Sequence, residues 1–145
     1  MGMYTQIHTN LKLNENTPDD VISALKMMVG EIEIDKHKLP NHPLFQTPRW
    51  GFMLLCSSFY FTPFNVTKLE YNDISQRYYL VSFSDFKNYD NEVDLFFNFI
   101  TPYVQSGLIG YSQYEEDDYP TYHYNIEGEH IKVKADSSLF DLGLI

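Results

Sequence analysis

The chain opens with an alternation of apolar and polar residues between Tyr4 and Leu13. Ile7 and Leu11 share one parity, and mainly polar side chains take the other. A period of two is typical of a strand with one buried face. The segment therefore predicts a first strand that lies half buried in a sheet.

A helical pattern follows this strand. Thr17 is a candidate cap, Pro18 suits the first helical position, and two acids in the first turn complement the positive end of a helix. Apolar residues then recur at helical spacing as far as Gly30, which is a natural helix stop. The pattern predicts a first helix between these points.

A second helix is predicted to begin at Asp90. Its apolar stripe consists of Val93, Phe96, Phe97, Ile100 and Val104. Leu95 and Phe99 lie outside this stripe, so the helix is apolar over more of its circumference than a surface helix needs. Two interpretations stay open: the helix is sandwiched inside the domain, or these two residues contribute to a homodimer interface.

The remaining patterns predict six further strands. They are Trp50–Phe61, placed at the centre of the sheet, Val66–Tyr71, Tyr78–Phe83, Leu108–Tyr114, Thr121–Ile126 and His130–Ala135. Strands that follow one another in sequence favour hairpins, and two helices suffice to cover one face of a sheet. We therefore expect an α+β fold, a mainly antiparallel β-sheet with two helices packed on one face, in the order β-α-β-β-β-α-β-β-β.

Length and composition indicate one folded domain. The 145 residues are 43% hydrophobic and 17% aromatic, which argues against intrinsic disorder. We expect residues 1–145 to form a single domain, with residues 1–2 as a cloning remnant and 136–145 as an apolar tail. The start carries no secretion signal, so we expect a cytoplasmic protein.

Sequence motifs for catalysis or cofactor binding are not apparent. Cys56, the only cysteine, excludes an internal disulfide and sits among apolar residues, which raise the pKa of a thiol rather than activate it. His123 and His130 fall in neighbouring predicted strands and could approach each other, with a metal site conceivable, but two exposed strand histidines are the favoured interpretation. We expect no cofactor and no metal, and favour a non-enzymatic function while leaving an enzyme open.

The charge of the chain is concentrated in one third of its length. The net charge is −10, and ten acids and a single base, Lys87, lie between residues 85 and 129. This segment therefore carries −9. Such a balance argues against direct binding of nucleic acid or of an anionic membrane, because both need Lys and Arg to neutralise phosphates.

Four consecutive acids in this segment are set among tyrosines. The predicted partner-binding residues are Tyr111, Tyr114, Glu115, Glu116, Asp117, Asp118, Tyr119 and Tyr122. Tyrosine is favoured at interfaces and complementary charge speeds encounter, so this surface would suit a basic protein partner. A solvated loop that aids solubility is the plain alternative, and calcium binding lacks the spacing of an EF-hand loop.

Three stretches together resemble a known family. They are residues 39–45 leading to Arg49 and Trp50, residues 86–92, and residues 110–116. The combination resembles a family of short, acidic, uncharacterised bacterial proteins, some of them carried on phages or other mobile elements, and it covers the chain up to about Thr121. That family has no assigned activity, so the resemblance implies a bacterial origin and transfers no functional residue.

Two functions follow from these patterns. The first is a non-catalytic binding protein whose acidic, Tyr-rich surface engages a basic partner, with a nucleic-acid-mimicking or anti-defence role as its sharper form. The second is a small-ligand-binding domain or weak enzyme with an aromatic pocket between sheet and helices. That pocket would be lined by Arg49, Trp50, Tyr60, Tyr79 and Tyr89. Arg49 is a candidate anion contact there, although a structural ion pair or a position over an aromatic face is the more common role.

Overall fold

The computed structural model describes residues 3–56 and 66–135. Its two α-helices are α1 (Asp19–Met28) and α2 (Glu92–Ile100). Its six strands are β1 (Tyr4–Lys12), β2 (Val66–Asn72), β3 (Arg77–Lys87), β4 (Gly107–Tyr114), β5 (Thr121–Ile126) and β6 (Glu129–Lys134). They form one antiparallel sheet in the order β2-β3-β1-β4-β5-β6, which confirms the α+β fold. The predicted tail, residues 136–145, lies outside the described residues.

The predicted central strand Trp50–Phe61 is wrong where the structure describes it. Trp50–Phe52 forms a short 3-10 helix, residues 53–56 form no strand, and residues 57–61 lie outside the described part. Met53 and Leu54 are nevertheless fully buried, because this segment packs onto the core as a covering loop. A continuous run of apolar residues predicts that a segment is buried, but it does not distinguish a strand from another backbone conformation. Within the described residues the order is therefore β-α-β-β-α-β-β-β.

The sheet has one covered and one open face. On the covered face, alternate residues of β1 and β3 are buried, among them Ile7, Thr9, Leu80 and Ser82. Both helices pack there and share one core with the strands. The open face carries the opposite parity, on which His8 and several tyrosines are only half buried. Asp85 has the same parity and is fully buried, so only part of this face is accessible in the described part of the chain.

Helix α2 is sandwiched at one of the two positions that suggested a dimer. Phe99 is 3% exposed, and the rings of Phe45 and His42 contact it edge-on, at centroid distances of 4.9 and 5.4 Å. Leu95 is half buried against the same core.

The residues of the predicted apolar stripe are all buried, but α2 begins at Glu92 rather than Asp90 and ends at Ile100. The prediction is wrong for Val104, which lies beyond the helix in extended backbone that pairs with Leu13. Within the described residues, no helix is long and apolar enough to cross a membrane.

Candidate functional site

The acidic loop, residues 115–120, connects β4 to β5 and is held in place by two of its own acids. Glu115 continues the strand pairing, since its amide donates to the Tyr4 carbonyl (3.0 Å) and its Oε1 accepts from the Tyr4 amide (3.1 Å). The Asp117 carboxylate lies 3.2 Å from the Lys134 ammonium, and the Gln113 amide donates to the Asp117 carbonyl. The loop is thus ordered before any partner arrives.

The other two acids of the loop project into solvent. Glu116 and Asp118 are exposed, and neither forms an ion pair with a cation of the described residues. Burial, and after it the carboxylates of the loop, raise the pKa of Tyr114. Glu116 and Asp118 are therefore the negative charges of this loop that remain accessible to a partner.

The structure divides the tyrosines of the predicted surface between the two sheet faces. Tyr111 and Tyr122 lie opposite each other on the open face, with ring centroids 6.4 Å apart. Burial, followed by Tyr122 and then Asp85, raises the pKa of Tyr111. Tyr114 has the parity of the covered face, and Tyr119 lies half buried within the acidic loop. The open-face tyrosines and the loop adjoin, because the loop joins the strands that carry them.

Folding disperses the rest of the acidic segment. Asp85 and Glu92 are fully buried, and the Asp94 carboxylate lies 2.6 Å from the Lys132 ammonium. Glu127 and Glu129 flank the β5–β6 turn, at the opposite end of β5 from the acidic loop. The −9 of the sequence is therefore not one surface, and the loop is its compact accessible part.

The predicted aromatic pocket is not assembled as one site. Tyr79 has the parity of the open face, away from the helices, and Tyr60 lies outside the described residues. The Arg49 guanidinium lies 4.6 Å from the ring of Phe86 and 4.9 Å from that of Tyr89 and donates to a backbone carbonyl. Arg49 thus holds the chain together by stacking on aromatic rings.

Trp50 keeps a place at a cavity. It is 8% exposed and helps to line a cavity of about 680 Å³ between the end of α1 and the segment 34–52 that follows it, together with Phe45, Phe52 and His42. A volume of this size is within the range of small-molecule sites. Trp50 and Arg49 therefore do not share one pocket. Trp50 lines a cavity, whereas Arg49 stacks on aromatic rings.

A chain of polar side chains crosses the covered face under α2. The Ser112 hydroxyl lies 2.8 Å from His123 Nε2, and His123 Nδ1 lies 2.8 Å from His130 Nε2. The His123 ring stacks on Phe97 at 3.8 Å between centroids, with an interplanar angle of 8°. The predicted approach of the two histidines is thus confirmed, but the interpretation as two exposed residues is wrong, because His123 is fully buried.

This hydroxyl–imidazole chain resembles a nucleophile and its base, yet its surroundings prevent that role. Burial, and then the neighbouring His130, lower the pKa of His123 to about 3, so it is a weak base at neutral pH. Ser112 is 8% exposed and His123 is not exposed at all, so the hydroxyl and its neighbouring imidazole are both buried. The chain fills and fixes the sheet beneath Phe97. Sequence reasoning missed Ser112, since only strand register brings it to His123.

Metal and thiol chemistry find little support in the described residues. Within residues 3–56 and 66–135, no group of three or more His, Cys, Asp or Glu side chains is placed to hold a metal ion. Burial raises the pKa of Cys56, whose Sγ donates to the Phe52 carbonyl at 3.3 Å. The thiol is therefore protonated near neutral pH and poorly nucleophilic.

No protein-family model matches the chain, and no curated protein or solved structure matches it either.

Proposed function

We propose that this protein is a non-catalytic binding protein, and that its acidic loop and the adjoining open-face tyrosines contact a basic protein partner. The observation that carries the proposal is the pairing pattern of the loop. Two acids hold the loop in place, and two others, Glu116 and Asp118, are exposed without a cation among the described residues.

The arrangement has the anatomy of a protein interface. Interfaces place aromatic side chains at the centre and charged groups at the rim, and Tyr111 and Tyr122 lie inward of the loop on the same strands. Because hydrogen bonds already order the loop, binding does not have to fix its backbone, which reduces the entropic cost of association. Half-buried tyrosines add contact area with few rotatable bonds.

The partner follows from the sign of the accessible charge. Carboxylates at the loop attract Lys and Arg side chains and repel phosphates, so we expect a basic protein and no direct contact with nucleic acid. The sharper form of the proposal is a partner whose basic groove normally takes nucleic acid, which the carboxylates would imitate. Such a partner is competed off by nucleic acid.

A charge-matched capture experiment tests the proposal. The immobilised protein, the E116Q/D118N variant and an E31Q/E33Q control are each exposed to a lysate of the cells that encode it, and bound proteins are identified by mass spectrometry. Glu31 and Glu33 are exposed acids elsewhere on the chain, so the control loses the same charge. We expect a Lys- and Arg-rich protein captured by wild type and control and lost with E116Q/D118N. Equal capture by all three, or no specific capture, contradicts the proposal.

A second candidate function is a small-ligand site at the Trp50 cavity, which the cavity itself favours. Trp50 is the only tryptophan of the chain, so tryptophan fluorescence reports on the surroundings of this one residue. A metabolite that raises the melting temperature and also changes Trp50 emission would support this candidate. A thermal shift without a change in emission would place the ligand elsewhere.

A further inference from the structure

A groove opens on the open face where β1 and β4 separate. The two strands pair from Thr5 to Thr9 of β1, and beyond this point the Gln105 side chain takes over. Its Oε1 accepts from the Lys12 amide at 2.8 Å, and its Nε2 donates to the Asn10 carbonyl at 3.0 Å. The side-chain amide of Gln105 takes the hydrogen bonds that a neighbouring strand would otherwise form with β1. The two strands can therefore separate here without leaving these backbone groups of β1 unpaired.

β4 has an irregularity at the point where its pairing with β1 ends. The register between β4 and β5 shifts between Leu108 and Gly110, and Leu108 is exposed. Bulges of this kind re-aim side chains and are frequent next to functional sites. The resulting groove has a volume of about 430 Å³, and its lining includes His8, Asn10, Lys12, Tyr79, Leu108 and Tyr111. This volume suits a ligand of one or two rings.

His8 provides a directional polar group in the groove. Its ring lies between Phe83 and Tyr111, with centroid distances of 5.5 and 5.3 Å. Nδ1 is shielded from solvent and has no hydrogen-bond partner in the described part of the chain. Nitrogens shielded in this way are rare in native proteins. Nε2 is engaged by no described group, so it is the nitrogen through which the imidazole would bond to a ligand.

The charge in the groove is opposite to that of the protein. Among the described residues that line it, Lys12 is the only charged side chain, in a chain of net charge −10. Its ammonium forms no ion pair with any described residue. The Lys12 ammonium therefore favours an anion at its end of the groove, away from Asp85, which acts on Tyr111 at the His8 end.

We propose that this groove binds a small aromatic carboxylate. The ligand ring packs against Tyr111 and Tyr79, its carboxylate pairs with Lys12, and a hydroxyl at the other end of the ring bonds to His8. Along a strand that rises about 3.3 Å per residue, the Cα atoms of His8 and Lys12 are about 13 Å apart. The long Lys12 side chain spans part of this distance, so a one-ring ligand with groups at both ends fits.

The probe for this proposal is 4-hydroxyphenylacetate, titrated into ¹⁵N-labelled protein by NMR up to about 10 mM, ten times a millimolar dissociation constant. We expect saturable shifts of the His8 imidazole nitrogens and of the Gly110 and Tyr111 amides. The neutral analogue 2-(4-hydroxyphenyl)ethanol, which keeps ring and hydroxyl, should bind about three- to five-fold more weakly. Shifts that do not saturate, or that miss these groups, overturn the proposal.

Two lysine variants separate a specific contact from general attraction. Lys12→Gln should weaken the probe by about three- to five-fold, whereas Lys68→Gln, on the same face but paired with Glu70 at 2.9 Å, should leave it unchanged. Both lysines are exposed, and dispersed amide spectra confirm that each variant is folded. Equal effects of the two variants overturn the role of Lys12. Neither result bears on capture of a basic protein by the acidic loop.

Discussion

The two faces of the sheet use the same kinds of residue in opposite ways. On the covered face, Gly110 lets the ring of Phe97 approach the strand, and Phe96 and Phe97 of α2 are fully buried. On the open face, large rings such as Tyr111 and Tyr122 stand on the strands themselves and remain half exposed. Aromatic residues therefore stabilise the fold from one side and are available for binding on the other.

Because of this difference, we expect substitutions on the covered face to affect folding and substitutions on the open face to affect binding. A fully buried ring that is truncated leaves a cavity, and its loss is felt in the free energy of unfolding. A half-exposed ring has solvent on one side, so its loss is mostly a loss of surface. The four variants and conditions below test this division, from the largest expected effect to the smallest.

Phe97→Ala should have the largest effect, a loss of about 3–5 kcal/mol in the free energy of unfolding. The Phe97 ring is fully buried and stacks on His123 at 3.8 Å between centroids. Urea denaturation followed by circular dichroism measures this. A loss below about 1 kcal/mol would show that the covered face does not hold the fold together.

Gly110→Ala should destabilise the protein by about 1–3 kcal/mol or more. A Cβ atom at this position would lie 2.3 Å from the His8 carbonyl oxygen and 2.8 Å from the Phe97 ring. Gly51→Ala is the matched control, since its nearest neighbour is the Met27 methyl at 3.8 Å. The control should be neutral or stabilising by up to about 1 kcal/mol. Equal melting temperatures of the two variants would contradict the close approach.

Acid should weaken the covered face through the buried histidines. Burial, and after it His130, lower the pKa of His123 from 6.5 to about 3, so the unfolded chain binds more protons between these values. Stability therefore falls as the pH falls through 6.5, by about 2 kcal/mol between pH 7 and pH 5. Burial lowers the pKa of His130 as well, which acts in the same direction.

The measurement is urea denaturation at pH 7 and pH 5, for wild type and for His123→Gln. Carboxylates contribute to both proteins alike, so the difference between their losses belongs to His123 and its contact with His130. We expect the variant to be less stable at pH 7 and to lose less on acidification. The same loss in both proteins would show that His123 does not titrate in this way.

Tyr122→Ala should have the smallest effect, about 1 kcal/mol or less. Its ring is half buried on the open face, where its one described ring neighbour is Tyr111, at 6.4 Å between centroids. The same urea experiment applies. A loss as large as that of Phe97→Ala would mean that the open face is part of the core.

The elements with a clean period were predictable from the sequence. The strand at Tyr4, the hairpin of β2 and β3 and the stripe of α2 from Val93 to Ile100 all follow apolar positions at fixed spacing, and the structure confirms them. Local details deviated where side chains found other partners. Thr17, expected as a cap, bonds to the Asn14 carbonyl instead, and no side chain caps α1.

Which face of β5 is buried could not be predicted, because the structure buries its polar residues and leaves its tyrosines partly exposed. Tyr122 and Tyr124 alternate with His123 and Asn125, and a hydrophobic pattern would place the tyrosines in the core. The structure buries His123 and Asn125, whose polar atoms bond to Ser112 and to backbone carbonyls. A buried polar residue is tolerated once it is paired, and pairing across strands depends on register.

The negative charge of the candidate site was predictable from the sequence, but the set of acids that remain accessible was not. The run Glu115–Asp118 indicates an acidic loop, and the structure places it between two strands, as expected. Which of its acids are engaged within the protein depends on Tyr4 and Lys134, which are distant in sequence. Only the fold shows that Glu116 and Asp118 remain accessible.

The most direct test of the central claim measures binding and stability on one protein, the E116Q/D118N variant. Capture of the basic partner is compared with wild type as salt rises from about 0.05 M to about 1 M, where charge interactions are screened. We predict that wild-type capture declines steeply with salt, that the variant captures little at any salt, and that their free energies of unfolding differ by less than about 0.5 kcal/mol. Undiminished capture by a folded variant would contradict the claim.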